Sequence, residues 1–293
     1  MILCDVARED ASVIIGDLKE LGIPKRGSIA VEELDSAISD LFAEAERAAP
    51  GLPSDAVVWE EVESRAAEQT ELSVSFVAFM VLAMQIAGVG LVLDQPILIV
   101  GAMVVGPEFG PLAGISVAIV HLQGKLAGRS LIALAVGFPA GIIATIATTL
   151  VFAALGAFPD DFPANRPLTE FVSKPDVLSL FVAFTAGAAG VLSLTSAKSG
   201  ALIGVLISVT TIPAAAGIGV GVGYGEWGDA GGAALQLVIN LAGIVAAGVL
   251  TLFVQRRLYV IRRRRHLEDP ARAAAGLPEG RSEHHKSDDA PTL

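Results

Sequence analysis

The stretch from Pro96 to Val120 reads PILIVGAMVVGPEFGPLAGISVAIV, and its only charged side chain is Glu108. A helix of about 20 apolar residues, rising about 1.5 Å per residue, is long enough to cross a bilayer. Pro107 and Pro111 each lack a backbone N–H and clash with the preceding helical turn. The stretch therefore predicts a membrane span that is broken or kinked around a carboxyl group.

Length and composition indicate a multi-pass membrane protein. The 293 residues are 53% hydrophobic and only 17% charged, and the mean hydropathy is +0.64. Soluble domains contain about 25% charged residues. Six apolar windows have the length of a span, so we expect six spans. These windows begin near Leu72, Pro96, Leu126, Val177, Ser199 and Ala230.

The first 71 residues predict an acidic soluble head. They hold 17 acidic and 6 basic side chains, and their net charge of −11 argues against nucleic acid as a partner. Ile2–Val6, Ser28–Leu34 and Ala56–Val62 are strand candidates, whereas Glu9–Leu21 and Asp35–Ala49 have helical patterns. We therefore expect a small α/β unit of the ferredoxin-like kind.

Changes in composition set the predicted domain boundaries. The cytoplasmic head covers residues 1–63, and a charged helical connector at 64–71 runs straight into the first span. Two three-span units follow at 72–158 and 177–255. Residues 256–293 begin with a basic anchor and continue as a tail whose mixed composition predicts disorder.

The membrane region contains an internal repeat. Three short blocks recur in the same order at offsets of 105, 103 and 102 residues. The paired blocks are 76–79 with 181–184, 113–117 with 216–220, and 140–144 with 242–246. A unit of three spans ends on the side opposite to its start, so the second copy enters the membrane inverted. Inverted repeats are typical of secondary transporters, which hold their substrate between the halves.

Basic residues near the span ends predict the orientation. Lys125 and Arg129 lie between spans two and three, Lys198 lies between spans four and five, and Arg256–Arg265 follows the last span. With six crossings these places share one side of the membrane. Both termini are therefore expected in the cytoplasm.

The run Ile99-Val100-Gly101-Ala102-Met103, followed by Pro107 and Pro111 and preceded by an acidic head, resembles the prokaryotic family called domain of unknown function 389. The family is also known as the uncharacterised hydrophobic domain. The resemblance implies a prokaryotic inner-membrane protein with no established activity. The chain departs from the family pattern at Glu108, where many members have an apolar residue.

The candidate site combines two predicted helix breaks. Around Glu108, the glycines Gly106 and Gly110 remove side-chain bulk, and the prolines free backbone carbonyls that lipid cannot satisfy. Thr210, Thr211 and Pro213 supply a second break in the other half. Glu108 and the two threonines would form a polar seam between the halves.

The seam also has simpler interpretations, which stay open. Proline kinks and glycines often serve close helix packing. Gln85 and Asn240 are the other amides at depth, and such amides more often join neighbouring helices than bind substrate. For Glu108 the functional interpretation is favoured, because a carboxyl group in a span is costly and no Lys or Arg lies at similar depth.

The sequence therefore predicts a transporter or channel for a small solute or ion, with Glu108 as a protonatable group and the head as a regulatory or assembly domain. The alternative is a membrane scaffold or signalling protein that does not transport and acts through its head. We find no motif of an enzyme, metal site or cofactor site. Small residues on many span faces predict a homo-oligomer within the lipid bilayer.

Overall fold

A computed structural model describes residues 6–32, 57–159, 166–196 and 210–267. The helices of the head region are α1 (Arg8–Glu20), α2 (Ile23–Arg26) and α3 (Trp59–Gln69). Those of the membrane region are α4 (Val74–Val92), α5 (Pro96–Val105), α6 (Phe109–His121), α7 (Gly124–Ala154), α8 (Val177–Thr195), α9 (Thr211–Tyr224) and α10 (Trp227–Leu267). A short 3-10 helix covers Glu170–Ser173.

The predicted α/β head is wrong, because the described part of the head contains helices and no strand. The strand candidate Ala56–Val62 runs into α3, where Trp59, Val62 and Ala66 are buried at helical spacing. Glu60 and Glu61 lie in the first turn of α3, where the helix dipole favours acidic side chains. Residues 28–32 have no strand either.

One predicted helix of the head is confirmed, and other predicted elements lie outside the described residues. The helix expected at Glu9–Leu21 is confirmed as α1. Residues 1–5 of the first strand candidate and the helix candidate Asp35–Ala49 lie outside the described residues. The hydroxyl of Ser12 on α1 donates to Glu60 (2.9 Å) and accepts from the Trp59 backbone N–H (3.2 Å), so α1 packs beside the start of α3.

The prediction of six spans is also wrong. In the described residues, four helices are long and apolar enough to cross a membrane, namely α4, α7, α8 and α10. The window at Pro96 forms two helices, α5 and α6, with a bend of 53° between them; counted as one span, this pair brings the number to five. The window at Ser199 is described only from Thr210 onward. There α9 has 14 residues and extends about 21 Å, too short for the hydrocarbon core of about 30 Å.

The connector also differs from the prediction. It is helical as far as Gln69, where α3 ends, and it does not continue into the first span. The Ser73 side chain instead caps a new helix by accepting from the Phe76 backbone N–H at 3.0 Å. The head helix α3 is thereby free to lie against α6 rather than in line with α4.

The ends of several membrane helices recur at a constant spacing of 103 residues. Equivalent ends are Val74 and Val177, Val92 and Thr195, His121 and Tyr224, and Gly124 and Trp227. The same spacing separates Glu108 from Thr211. Within the described residues, α4, α6 and α7 thus have counterparts in α8, α9 and α10, whereas the positions equivalent to α5 lie outside them.

The half-length helices α6 and α9 run in opposite directions along α7. α6 forms an antiparallel pair with α7, because only two residues separate them and Gly114 lies against Ser130. α9 runs parallel to α7, since Gly219 lies against Thr145 and Gly223 against Thr149. The two helices therefore point away from each other, with their N-termini closest together.

Candidate functional site

Glu108 lies in the break between α5 and α6. α5 ends at Gly106, whose backbone is extended (φ −68°, ψ 129°), and Glu108 is the N-cap of α6. Pro107 has no N–H to donate to the carbonyl four residues earlier, so α5 cannot continue. Pro111 is the third residue of α6, where a backbone N–H is unpaired in any helix. Pro107 therefore breaks the span, and Pro111 is accommodated where the helix restarts.

The carboxyl group of Glu108 is buried, and the residue is only 3% exposed. Its Oε1 accepts a hydrogen bond of 2.6 Å from the hydroxyl of Thr211. Its Oε2 is also buried and has no hydrogen-bond partner among the described residues. Unpaired buried oxygens are rare in folded proteins and often mark functional groups.

The free oxygen is directed toward Gly106. A methyl group at Gly106 would collide with Glu108 Oε2 and would lie 2.6 Å from Ile212 Cγ1. Glycine at this position is therefore required for the carboxyl group to fit between the break and α9. This close approach gives Gly106 a role in shaping the site.

The start of α9 faces the carboxyl group. Thr210 is the N-cap, Thr211 is the first residue and Pro213 is the third residue, the same position that Pro111 has in α6. The N-terminus of a helix carries a partial positive charge and free N–H groups. Two such ends meet at Glu108, an arrangement that favours negative charge there.

A chain of buried amides extends the site along α10. Asn240 donates to the Thr210 hydroxyl (2.8 Å), and Gln236 donates to Asn240 Oδ1 (3.3 Å). Both amides are 1% exposed. Gln236 Oε1 is buried and has no partner among the described residues. The site thus contains two buried oxygens that accept no hydrogen bond from the described residues, one in the carboxyl group and one in the amide.

Sequence reasoning predicted most of this site but missed Gln236. The structure brings together Glu108, Gly106, Thr210, Thr211 and Asn240. Gln236 could have been found from its spacing, because it precedes Asn240 by four residues and follows Asp229 by seven, which places all three on one helix face.

Two predicted site residues have other surroundings. Gly110 packs against the head helix, where a methyl group would approach Gln69 Cβ to 2.7 Å. Gln85 is half-buried on α4, and no described hydrogen bond connects it with Glu108. Gly110 therefore serves the contact between head and membrane region, and Gln85 stays a prediction.

Polar contacts close both ends of the half-helices. At the end of α6, His121 Nδ1 lies 2.5 Å from Glu63 Oε1, and the His121 ring packs on Trp59 at 5.2 Å. The hydrogen bond from His121 lowers the pKa of Glu63 below its ordinary value. Arg256 on α10 donates to the Val120 carbonyl nearby. The head helix and the described end of α10 thus meet at the same end of the molecule.

The opposite end is closed by the segment that precedes α8. Buried Arg166 forms an ion pair with Asp229 at the start of α10 and donates to Ser173 (3.2 Å). Asp94, whose backbone is left-handed (φ 50°), accepts from the Thr169 hydroxyl at 2.9 Å. Residues 166–173 are thereby held across the ends of α4 and α10.

The chemistry available at the site is that of a carboxyl group, two hydroxyls and two amides. Such a set can hold a proton or a small ion, or form hydrogen bonds with a small solute. Among the described residues, no three His, Cys, Asp or Glu side chains come together in a metal-binding arrangement.

The apolar helices, with a broken helix and a buried polar site between them, define a multi-pass membrane protein. The model of the family "Domain of unknown function (DUF389)" matches residues 103–246, about half of the chain, and confirms the resemblance seen in the sequence. The matched segment begins just before the break and contains Glu108, Thr210, Thr211, Gln236 and Asn240.

Comparison with curated proteins finds a distant relative. An uncharacterized protein of the archaeon Methanocaldococcus jannaschii is 24% identical over 242 residues, which cover 83% of this chain and 72% of the relative. No solved structure matches the chain. The similarity thus extends beyond the matched family segment.

Proposed function

We propose that this protein is a membrane transporter or channel for a small ion or solute, in which Glu108 is the group that takes up and releases a proton or cation. The observation that carries this proposal is the buried Glu108 carboxyl group. One of its oxygens accepts a hydrogen bond from Thr211, and the other has no partner among the described residues. An ionisable group within a span is costly and generally functional.

The repeated contacts support this proposal, because they point to a twofold relation between the halves. Several close contacts recur when each of the two residues is replaced by its counterpart, 103 positions earlier or later in the chain. These pairs of contacts are Gly88–Thr145 with Val191–Gly248, Gly114–Ser130 with Gly217–Ala233, and Thr145–Gly219 with Gly248–Ser116. In the last pair each residue of one half exchanges with its counterpart in the other, as a twofold axis requires.

The proposed axis passes through the candidate site. Glu108 and Thr211 are counterparts and are hydrogen-bonded to each other, so they lie on this axis. From there α6 and α9 extend in opposite directions for about 20 Å each. If the halves are inverted, the carboxyl group is equally far from both faces of the membrane, where secondary transporters bind their ions.

Ion exchange requires the carboxyl group to change partners. In the closed arrangement seen here, the carboxyl group has one hydrogen-bond donor, Thr211, among the described residues, and burial without further partners is costly for a polar group. When water reaches the site, the two helix N-termini favour the carboxylate. A change in hydration at this point would therefore couple proton release to the conformation of the half-helices.

The charges at one end of the molecule support a proposal for its orientation in the membrane. Lys125 and Arg129 at the start of α7 lie at the same end as Arg256 and the head helix α3. Basic residues are retained on the cytoplasmic side. We propose that this end faces the cytoplasm of a prokaryotic cell and that the head regulates the site through α3.

Ion flux in liposomes tests the proposal. The purified full-length protein is reconstituted with a pH-sensitive dye inside, and proton movement is followed after an imposed pH gradient, with and without a sodium or potassium gradient. We expect flux with the wild type, and Glu108→Gln should reduce it to the rate of empty liposomes. Glu226→Gln, which changes an exposed carboxylate, is the matched control and should retain full flux.

Two outcomes would contradict the proposal. Equal flux with the wild type and with Glu108→Gln would remove the role of the carboxyl group. No flux of protons, sodium or potassium by any variant would favour the non-transporting scaffold, in which α3 and the tightly packed Gly110 and Gly114 serve assembly.

A further inference from the structure

The polar residues of α10 have no polar counterparts in the first half of the molecule. Asp229, Gln236 and Asn240 share one face of α10, at intervals of seven and four residues. The positions 103 residues earlier, on α7, are Leu126, Ala133 and Gly137, and all three are buried. On this face, carboxylate and amide side chains therefore occur in one half only. The buried hydroxyl of Ser130, between Leu126 and Ala133, donates to the Leu126 carbonyl of its own helix.

This polar face joins the Glu108 site to one end of the molecule. Near the site, Asn240 donates to Thr210, which is adjacent to the Thr211 that binds Glu108. One turn farther along, Gln236 has a buried oxygen without a partner among the described residues. Two turns beyond Gln236 lies Asp229, in its ion pair with Arg166.

The segment 166–173 covers the outer part of this face. The Ser173 carbonyl lies directly against Gly232, and a methyl group at Gly217 would lie 3.5 Å from Val172. Since Gly232 lies between Asp229 and Gln236 on α10, the segment closes the polar face between the ion pair and the unpaired amide. Its attachment depends on the Arg166–Asp229 ion pair and on Asp94, which holds Thr169.

We propose that Gln236 and Asn240 line a route by which water and a small ion reach Glu108 from the end of the molecule that carries Arg166 and Asp229. Water entering along α10 would supply donors to both unpaired oxygens, Gln236 Oε1 and Glu108 Oε2. A polar, solvated wall is also the only kind of wall along which an ion can move through an apolar interior.

The route is one-sided in this conformation. Toward the head, the equivalent wall consists of Leu126, Ala133 and Gly137. A methyl group at Gly137 would lie 3.1 Å from Met80 Cγ, and α3 packs on α6. This wall has no amide or carboxylate, and the hydroxyl of Ser130 within it is bonded to the Leu126 carbonyl, so it offers few partners to water. The end with Arg166 and Asp229, which the charges predict to be non-cytoplasmic, is therefore the side with which Glu108 exchanges. This inference rests on the proposed function, because it names the access path to the same carboxyl group.

Cysteine labelling in sealed vesicles tests the route without measuring transport. In a Cys4→Ser background, Gln236→Cys is compared with Ala133→Cys, its counterpart in the other half. A small membrane-impermeant thiol reagent is added to one side or the other, and labelling is read by mass spectrometry. We expect Gln236→Cys to react from the Arg166 side at least about tenfold faster than Ala133→Cys reacts from either side, as local opening on one side only implies.

A second pair of cysteine variants and a substitution of Arg166 complete the test. Asn240→Cys and Gly137→Cys provide the same comparison nearer to Glu108 if Gln236→Cys does not fold. Arg166→Ala, combined with Gln236→Cys, should accelerate labelling from the same side, because the ion pair that holds the segment is lost. Similar labelling of both counterparts, or faster labelling of Gln236→Cys from the head side, would overturn the route.

The labelling result is independent of the flux result. One-sided labelling together with unchanged flux in Glu108→Gln would support the route and refute the role of Glu108 in transport. Two-sided or absent labelling together with flux that depends on Glu108 would refute the route and leave the proposed function in place.

Discussion

Among the described side chains, Thr211 is the one that donates a hydrogen bond to the Glu108 carboxyl group, at 2.6 Å. Its second oxygen already lacks a described partner, so loss of this bond would leave the whole carboxyl group unsatisfied. The stability of the site therefore depends on Thr211 more than a single interhelical hydrogen bond would suggest.

The first prediction concerns Thr211→Val, which removes the hydroxyl and retains the shape. An average interhelical hydrogen bond in a membrane protein is worth about 0.6 kcal/mol, but an unsatisfied buried group costs about 1–3 kcal/mol. We expect the larger effect, seen as a lower midpoint of thermal unfolding in detergent. Thr185→Val is the control, because the exposed Thr185 hydroxyl donates only to carbonyls of its own helix and its loss should have little effect. Equal midpoints for the two variants would argue against a stabilising role of Thr211.

The second prediction compares substitutions at two glycines, Gly101 inside α5 and Gly106 at its C-cap. Gly106→Ala places a methyl group against Glu108 and Ile212, and such overpacking costs about 1–3 kcal/mol. Gly101→Ala meets nothing within 4 Å and lies inside the helix, where alanine is favoured over glycine by about 0.5–1 kcal/mol. We expect opposite shifts of the thermal midpoint in the two variants. Because the backbone of Gly106 is allowed for alanine, a stable Gly106→Ala variant would show that the site is not closely packed.

Sequence alone was informative where a polar group stands in an apolar stretch. Glu108, Thr210, Thr211 and Asn240 could be named because each interrupts a hydrophobic window, and the structure joins them through hydrogen bonds. The seam of Glu108 with the two threonines was predicted, but the individual bonds were not: Thr211 donates to the carboxyl group, and Asn240 donates to Thr210. Gly110 shows the same limit, because glycine near a break looks the same in sequence whether it faces a site or a neighbouring helix.

At the scale of elements, α3 links the head to the broken helix. It contacts α6 at both ends, through Glu63 and His121 at one end and through Gln69 and Gly110 at the other. The N-cap of the same α6 is Glu108. Any displacement of α3 along α6 would therefore reach the carboxyl group through one rigid helix of 13 residues.

The third prediction is that this docking weakens in acid. The pKa of Glu63 is lowered from its ordinary 4.5 chiefly by the hydrogen bond with His121, whereas its partial burial opposes the shift. A carboxyl group with a depressed pKa contributes stability above its unfolded pKa and loses it as the pH falls through the folded value. The contribution of Glu63 should therefore be complete at neutral pH and should decrease progressively as the pH falls below about 4.5 toward the lowered folded pKa.

Tryptophan fluorescence can follow this docking. Trp59 is buried beside His121, whereas the exposed Trp227 can be replaced by phenylalanine to leave one reporter. In that background, we expect the difference in thermal midpoint between the wild-type pair and Glu63→Gln to be present at pH 7 and to vanish at lower pH. Glu68→Gln on the exposed face of α3 should show no such difference. A constant difference between the wild-type pair and Glu63→Gln at every pH would assign the effect to packing instead of charge.

The errors at the element scale have physical causes. Ala56–Val62 looked like a strand because four apolar residues are consecutive, but α3 buries Trp59, Val62 and Ala66 on one helical face. The window from Pro96 had the length of one span, and the bend between α5 and α6 depends on how Pro107 is accommodated. Hydropathy measures length and composition, and it does not register where a helix restarts.

At the scale of the whole molecule, the 103-residue spacing unites the helix ends, the close contacts and the candidate site. Short blocks of sequence suggested this repeat at offsets of 102 to 105 residues. The spacing in the sequence could not reveal which elements of one half contact the other half. The asymmetry along α10 was also hidden, because it becomes visible only when its counterpart positions on α7 are known.

The last prediction tests the twofold relation with four positions used in two combinations. Ser116 contacts Gly248 (2.6 Å from the hydroxyl oxygen to a methyl group at the glycine), and Thr145 contacts Gly219 (2.7 Å, measured in the same way from Thr145 Cβ). In a Cys4→Ser background, the pairs Ser116→Cys with Gly248→Cys and Thr145→Cys with Gly219→Cys should cross-link on mild oxidation in membranes. A methyl group at Gly248 would lie 3.0 Å from Ser116 Cβ, and one at Gly219 would lie 2.7 Å from Thr145 Cβ. A small separation of the helices therefore brings each pair of Cβ atoms to the distance of about 3.5–4.5 Å that a disulfide needs. The exchanged pairs, Ser116→Cys with Gly219→Cys and Thr145→Cys with Gly248→Cys, use the same four substitutions. Since α6 and α9 run in opposite directions, Ser116 and Gly219 diverge from the Glu108–Thr211 contact, and the exchanged pairs should not cross-link.

Cross-linking of all four pairs to the same extent would be incompatible with a twofold axis at Glu108, whereas the expected pattern would place the buried carboxyl group between two halves that can move against each other.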